Sequence, residues 1–266
     1  MQPQRDDIVV LRRAPYRDAD WIVTALARER GVISAIARGA RRSRRRFQAG
    51  LGPFFVFSAS LRRRPKGELW DLDSADVAQG FSSLAADVAA TAHASYGTEL
   101  VRELLPAERP EPEVFALLVE LYDALATAGP SAPALRSFEL RLLALVGLAP
   151  SLTRCTRCGR HLPIDEDGEV GFSPAQGGAV CAACEPAHAG MSLGAAARSL
   201  LIAAAELPIA EAAASLAPSD RGTSRAARDA MVRLVLHHVG KPLRSLEFIA
   251  KLRQGGAGGA TKDREA

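Results

Sequence analysis

Aromatic residues are scarce in this chain, at 5% of its 266 residues, although hydrophobic residues of all types make up 48%. Alanine and leucine supply most of the apolar content, which favours helix over sheet along most of the chain. Long apolar runs are also missing: Glu206, Pro208 and Glu211 interrupt the most apolar stretch, Ser199 to Ala217, which excludes a membrane span of about 20 residues. The opening MQPQRDD lacks the apolar core of a secretory signal, so we expect a cytoplasmic location.

Two common catalytic motifs are absent from the sequence. It contains neither a G-x4-G-K-[ST] phosphate loop nor an H-E-x-x-H helix. The best cluster of acids is Asp71, Asp73 and Asp76, which a two-metal nuclease would need. Aspartates at a strand end and before a helix are equally typical of caps and solvated faces. We therefore expect no enzyme, with a metal-dependent nuclease as an alternative.

Acidic residues are missing between Arg30 and Leu61, where basic residues are concentrated. Residues 1–80 carry 16 Lys and Arg against 9 Asp and Glu, a net +7, whereas the remainder carries 18 against 21, a net −3. A one-sided positive field suits a phosphate backbone, although solvated loops enriched by codon bias would look the same. The candidate nucleic-acid-binding residues are Arg38, Arg41, Arg42, Arg44, Arg45, Arg46, Phe47, Arg62, Arg63, Arg64 and Lys66.

The basic first third is also the part of the chain with strand character. Short segments separated by turn residues predict a five-stranded small barrel, and both arginine clusters fall on its connections. We expect Phe47 and Tyr16 to be the exposed aromatics there. The predicted strands are Asp7–Leu11, Trp21–Ala27, Val32–Arg38, Phe54–Leu61 and Glu68–Val77.

Helical periodicity begins at Phe81, so the fold class is α+β. Apolar residues recur at helical spacing, and prolines end the segments. The predicted organisation is a barrel domain at 1–80, an all-helical domain at 81–152 and 190–253, an inserted metal module at 153–189, and a disordered Gly-rich tail at 254–266.

Only four cysteines occur, in two C-x2-C pairs separated by 22 residues: Cys155, Cys158, Cys181 and Cys184. Two such pairs aim four thiolates at one point and suit tetrahedral zinc, in a compartment where disulfides are rare. Four thiolates close the site, so we predict one structural Zn²⁺, with an iron centre or a redox dithiol as alternatives. Asp167-Gly168 predicts a hairpin turn between the pairs.

Several segments together resemble the RecO family of bacterial DNA repair and recombination mediators. They are "DIVVLRRAPYRDADWIVTALARERGVISAIARGARRSRRRFQAGLGPFFVF", "SFELRLLALVGLAPSLTRCTRCGR", "FSPAQGGAVCAAC" and "GKPLRSLEFI". The resemblance implies an N-terminal OB-fold barrel, a helical domain and a zinc-binding insertion. It also implies a nucleoid-associated, non-enzymatic protein that binds single- and double-stranded DNA and anneals complementary strands.

The same resemblance implies partners: RecR, the acidic tail of the single-strand-binding protein, and indirectly RecA, which is loaded onto coated strands. An acidic, apolar-ended tail needs an apolar pocket flanked by cations, and Arg136, Phe138 and Arg141 are the candidates. The alternative is that Phe138 is a core residue. Two other functions stay open: an RNA-binding protein of the translation machinery, and a scaffold that acts through its helices.

Overall fold

The computed structural model describes residues 2–65, 67–164, 168–184, 191–217 and 220–259. The chain divides into two compact units, Met1–Ala126 and Thr127–Ala266. The first unit therefore contains two helices beyond the barrel, whereas the sequence suggested a boundary at residue 80.

A closed five-stranded barrel forms the beginning of the first unit, as predicted, with the strand order β1-β2-β3-β5-β4. All neighbouring strands are antiparallel except β3 and β5, which pair in parallel at Ala35–Trp70 and Ile36–Asp71. In β4, Phe57, Ala59 and Leu61 are buried while the two intervening serines are half-buried, which is the alternation of a strand with one face in the core. The strands are β1 Gln4–Tyr16, β2 Asp20–Ala27, β3 Gly31–Ala37, β4 Phe55–Arg63 and β5 Trp70–Gly80.

Two helices complete the first unit: α1 Val88–Leu104 and α2 Pro112–Ala128, whose last residues pass the unit boundary. Asp87 begins α1 because its carboxylate accepts hydrogen bonds from the backbone N–H groups of Ala89 and Ala90. Tyr122 of α2 is fully buried and packs edge-on against Phe54 and Phe81. Burial raises the pKa of the Tyr122 hydroxyl, which hydrogen-bonds to Thr98.

The second unit combines helices with a small three-stranded sheet of order β7-β6-β8. The predicted Asp167-Gly168 turn lies partly outside the described residues, and the described hairpin turns instead at Pro174–Gln176. The last helix is described as far as Gly259, within the segment for which the sequence predicts disorder. The elements are α3 Ala132–Leu145, β6 Val170–Ser173, β7 Gly178–Val180, β8 Ser192–Leu193, α4 Ala195–Glu206, α5 Ile209–Ser215, α6 Arg221–Val239 and α7 Arg244–Gly259.

Within the described residues, no helix is both long and apolar enough to cross a membrane.

Candidate nucleic-acid interface and metal centre

The first arginine cluster lies in the connection between β3 and β4, here called the arginine loop, Gly39–Gly50. Its start is tied to the β1–β2 hairpin: the buried carboxylate of Asp20 accepts from the Gly39 backbone N–H at 2.8 Å. The backbone N–H of Arg41 donates to the Ala19 carbonyl at 3.0 Å. These contacts hold the loop against the tip of the hairpin.

The far end of the arginine loop is tied to β5. The Arg46 carbonyl accepts from the Ala75 N–H at 2.8 Å. The Gln48 amide donates to the Asp76 carboxylate at 3.2 Å and accepts from the Val77 N–H at 3.0 Å. A loop fastened at both ends presents its remaining side chains from a fixed backbone.

Phe47 lies in the barrel core, with 0% of its surface exposed. The expectation that Phe47 would be exposed for base stacking is therefore wrong. Burying an aromatic ring in a dry core stabilises the fold, and here that burial also fixes the C-terminal end of the arginine loop. The ring has no face available to a base.

The arginines of the loop fall into two groups. The Arg41 guanidinium donates to the carbonyls of Arg17 and Asp18, at 3.3 and 3.1 Å, and lies over the Trp21 ring. The Arg46 guanidinium donates to the Arg38 carbonyl at 2.7 Å. By contrast, three exposed arginines have guanidinium groups that make no hydrogen bond or ion pair in the part of the chain that the structure describes, here called the unpaired arginines: Arg42, Arg44 and Arg45.

The second cluster, here called the hairpin arginines, Arg62–Arg64, faces carboxylates. Arg62 pairs with Asp73 at 2.8 Å. Arg63 pairs with Glu108 and lies over the Trp70 ring at 5.1 Å. The hydrogen bond from Arg63, with a second one from the Trp70 indole N–H at 3.1 Å, lowers the pKa of the Glu108 carboxyl. Because these charges are already neutralised, they offer less to a phosphate than the unpaired arginines. Lys66, also predicted to bind nucleic acid, lies outside the described residues.

The three aspartates considered for a nuclease are engaged by neighbouring side chains. Asp71 lies 2.9 Å from the Arg38 guanidinium and 4.0 Å from that of Arg64. Asp73 pairs with Arg62, and Asp76 accepts from Gln48. Carboxylates paired with arginine support the barrel surface and do not favour a divalent metal site.

The four cysteines meet at one point in the second unit. Their sulfur atoms all lie within 4.8 Å of one another, and those of Cys158 and Cys181 are 3.7 Å apart. A tetrahedral Zn²⁺ with Zn–S bonds of about 2.3 Å requires sulfur separations of roughly 3.8 Å, so the four thiols fit such an ion. Gly159 has the positive φ of +74° that turns the chain away from the first pair.

Backbone N–H groups aimed at the sulfurs prepare the site for a cation. A hydrogen bond from the Cys181 N–H lowers the pKa of Cys155 to about 6. Hydrogen bonds among the neighbouring thiols raise the pKa of Cys184 to about 12. Metal binding must displace that last proton, so affinity for a metal falls as the pH is lowered.

Arg198 of α4 ties the metal module to the helices. Its guanidinium is fully buried and donates to three backbone carbonyls, at 3.0 Å to Leu152, 2.7 Å to Leu162 and 3.3 Å to Pro163. These carbonyls flank the first cysteine pair in the chain. Reasoning from the sequence missed Arg198, because its hydrogen-bond partners are 35 to 46 positions away in the chain.

Replacing Arg198 by Met should destabilise the second unit by about 3 kcal/mol, because the buried carbonyls lose a charged donor. Urea unfolding followed by circular dichroism measures the change. The control is Arg198→Lys, which keeps the charge but has a single donor group and should show an intermediate loss. A Met variant as stable as wild type would contradict this role.

The three residues predicted to bind an acidic tail are separated by the fold. Phe138 is completely buried, so it is a core residue. Arg136 is also buried, pairs with Glu139 at 2.7 Å, and lines a cavity of about 290 Å³ between α3, α4, α6 and α7. Arg141 is not among the residues that line it. The other arginines around this cavity are Arg221, Arg225, Arg228 and Arg253.

One further motif was missed in the sequence: residues 190–194 read G-x-S-x-G, the pattern of a hydrolase nucleophile. The serine of a nucleophile elbow sits on a strained turn between strand and helix. Ser192 instead lies within β8, paired with Gly171. The geometry therefore does not support a nucleophile here.

A five-stranded barrel carrying an exposed basic loop, followed by a helical unit with a four-cysteine centre, defines a two-part protein of the OB-barrel class. Two family models match the chain: Recombination protein O N terminal over residues 1–81 and Recombination protein O C terminal over residues 85–247. The chain belongs to the RecO family of DNA repair proteins.

Relatives match over nearly the whole chain. The DNA repair protein RecO of Anaeromyxobacter sp. (strain K) is 42% identical over 246 residues, covering 92% of this chain and 94% of that protein. The DNA repair protein RecO of Myxococcus xanthus (strain DK1622) is 35% identical over 254 residues, covering 95% and 99%. The similarity therefore extends through both the barrel and the helical unit.

Proposed function

We propose that this protein is a recombination mediator that binds single- and double-stranded DNA and anneals complementary strands in the cytoplasm, on the nucleoid. The observation that carries the proposal is the group of unpaired arginines on a loop fastened at both ends. Arginines outside helices and strands follow a phosphate backbone without reading bases. The activity requires no covalent chemistry and therefore no catalytic residue.

Annealing follows from charge neutralisation. Two approaching strands repel each other through their phosphates, and cations between them reduce this repulsion. The unpaired arginines supply that charge while the base edges stay free to pair. Arg41, Arg46 and Phe47 keep the loop in place, and the hairpin arginines add a weaker field beside it.

The four-cysteine centre would hold one Zn²⁺ in a structural role. A bound zinc would cross-link the two cysteine pairs, and four thiolate ligands leave no coordination position open for a substrate. Arg157 strengthens the same link, because its guanidinium donates to the Cys184 carbonyl at 2.8 Å. The site therefore holds the loop ends of the metal module together.

The arginine-lined cavity of the second unit is the proposed receptor for the acidic tail of the single-strand-binding protein. Its lining includes the apolar residues Pro133, Leu135 and Leu200. The Nε atom of Arg136 is buried with no hydrogen-bond partner among the described residues. Burial and the nearby Arg228 and Arg136 lower the pKa of Arg253. A cavity lined by several arginines together with apolar side chains suits a carboxylate-rich peptide with an apolar end.

Replacing Arg225 and Arg253 by Ala should weaken binding of a peptide with the sequence of that tail more than tenfold, because two cations that face the cavity are lost. Fluorescence anisotropy of the labelled peptide measures the affinity. The matched control is Arg233→Ala, an exposed arginine on α6 that does not line the cavity. Equal affinity of the double variant and wild type would refute this site.

Contact with the tail would bring the protein to coated strands, where RecR and RecA act as further partners. The test is strand annealing by the purified protein, with and without single-strand-binding protein on the DNA. We expect faster annealing in both cases. An annealing rate equal to the spontaneous rate would contradict the proposal, and stronger binding to RNA than to DNA of the same sequence would favour the translation alternative.

A further inference from the structure

Tyr16 is the most exposed aromatic side chain in the described part of the barrel unit, with 38% of its surface accessible. The other aromatics of the barrel are buried or half-buried, and Trp21 is already covered by the guanidinium groups of Arg13 and Arg41, at 5.0 and 5.6 Å from its centroid. Tyr16 is therefore the aromatic ring of the described barrel that a ligand can reach most readily.

The ring of Tyr16 stands at the end of β1, next to the tip of the β1–β2 hairpin. The tip is bound to the arginine loop, since the Arg41 guanidinium donates to the carbonyls of Arg17 and Asp18. Arg42 follows directly in the chain. The ring and the first unpaired arginine are thus carried by two elements that are hydrogen-bonded to each other.

The Arg17 backbone places a cation over the same ring. Arg17 has a positive φ of +51°, and its guanidinium lies 5.2 Å from the Tyr16 centroid. A guanidinium above an aromatic ring holds the ring in one orientation and places a donor for a phosphate beside it. Tyr16 carries one guanidinium where Trp21 carries two, and the 38% of Tyr16 that stays exposed is the part a base can contact, with the Arg17 cation close to the adjoining phosphate.

We propose that Tyr16 stacks on an unpaired DNA base, and that this contact adds affinity for single strands that duplex DNA does not receive. The inference rests on the proposed DNA-binding function. Bases in a duplex are stacked on each other and do not present a face to a side chain, whereas every base of a single strand does. The unpaired arginines would contact phosphates in either form, whereas a stacking contact by Tyr16 would be made with a single strand alone.

The test compares three DNA probes of equal length: a thymidine single strand, an abasic single strand and a duplex. Tyr16→Ala should lower affinity for the thymidine strand about tenfold and leave affinity for the abasic strand and the duplex unchanged. Tyr16→Phe should bind like wild type, because stacking uses the ring and not the hydroxyl. The salt dependence should be unchanged, since no charge is removed.

The matched control is Phe248→Ala, which removes an aromatic of similar exposure, 43%, from α7 in the other unit. It should bind all three probes like wild type. Unchanged binding of the thymidine strand by Tyr16→Ala would overturn the inference, and so would an equal loss on all three probes. Failure of the wild-type protein to bind any probe would instead overturn the proposed function.

Discussion

We expect the variant with Arg42, Arg44 and Arg45 all replaced by Gln to bind single-stranded DNA about 100-fold more weakly than wild type at about 0.1 M salt. Each phosphate contact on a single strand contributes about 0.7 to the slope of log affinity against log salt, so three contacts contribute roughly 2. At about 1 M salt the phosphate contacts contribute little affinity, and a slope of about 2 over the tenfold change to about 0.1 M salt gives the expected 100-fold difference in affinity. Electrophoretic mobility shift or anisotropy measures the affinity, and annealing should slow in parallel.

The matched control for this triple variant is Arg62, Arg63 and Arg64 replaced by Gln, which removes the same formal charge from the same barrel. Its affinity should fall less than tenfold, because carboxylates already neutralise these side chains. Circular dichroism confirms that both variants are folded. Equal losses in the two variants would show that only net charge matters, contrary to the division seen in the structure.

Removing the metal should produce the largest loss of stability. Cys181→Ser, or extraction of the metal by a chelator, should lower the thermal midpoint of the second unit by about 10 °C or more, because structural zinc contributes folding free energy directly. Metal analysis of the purified wild-type protein should find one Zn²⁺ per chain. Differential scanning calorimetry measures the midpoint.

The control for metal removal is the same chelator added to Cys181→Ser. The chelator should not lower its midpoint further, because that variant has already lost the site. The barrel lies in the other unit, so DNA binding through the arginine loop should persist. A wild-type midpoint unaffected by complete removal of metal would contradict a structural role.

Local patterns were enough to predict the barrel and the metal ligands. The strands can be recognised from residues close together in the chain, because apolar and polar residues alternate in β4 and turn residues separate the short apolar segments. Cys155 and Cys158 share one turn, as do Cys181 and Cys184, and two such pairs have few other uses. Both features depend on residues within a few positions of each other, which a sequence displays directly.

The separation of the arginines into unpaired and engaged groups was beyond the reach of the sequence. Arg63 meets Glu108, 45 positions away, and Arg46 reaches the carbonyl of Asp73, 27 positions away. Phe47 looked exposed because charged residues surround it in the chain. Its ring turns into the core because the loop is paired with β5 at Ala75. Long-range pairing decides which side chains of a basic run remain available.

The arginine-lined cavity of the second unit also depends on residues that are far apart in the chain. Its arginines come from three helices, and the sequence predicted a helical domain as far as residue 253 without defining α7 as a separate helix. Phe138 was a candidate for the tail site, with a role in the core as the alternative, and its complete burial supports the core role. Only the packing of α3 against α4 and α6 leaves Arg136 lining a cavity.

The most direct test of the account is the salt dependence of single-strand affinity, measured side by side for wild type, the unpaired-arginine variant and the hairpin-arginine variant. The account predicts that the slope of log affinity against log salt decreases by about 2 when the unpaired arginines are replaced. It predicts a decrease of less than about 1 for the hairpin arginines. A slope for the unpaired-arginine variant equal to that of wild type would contradict the claim that this loop holds the DNA backbone.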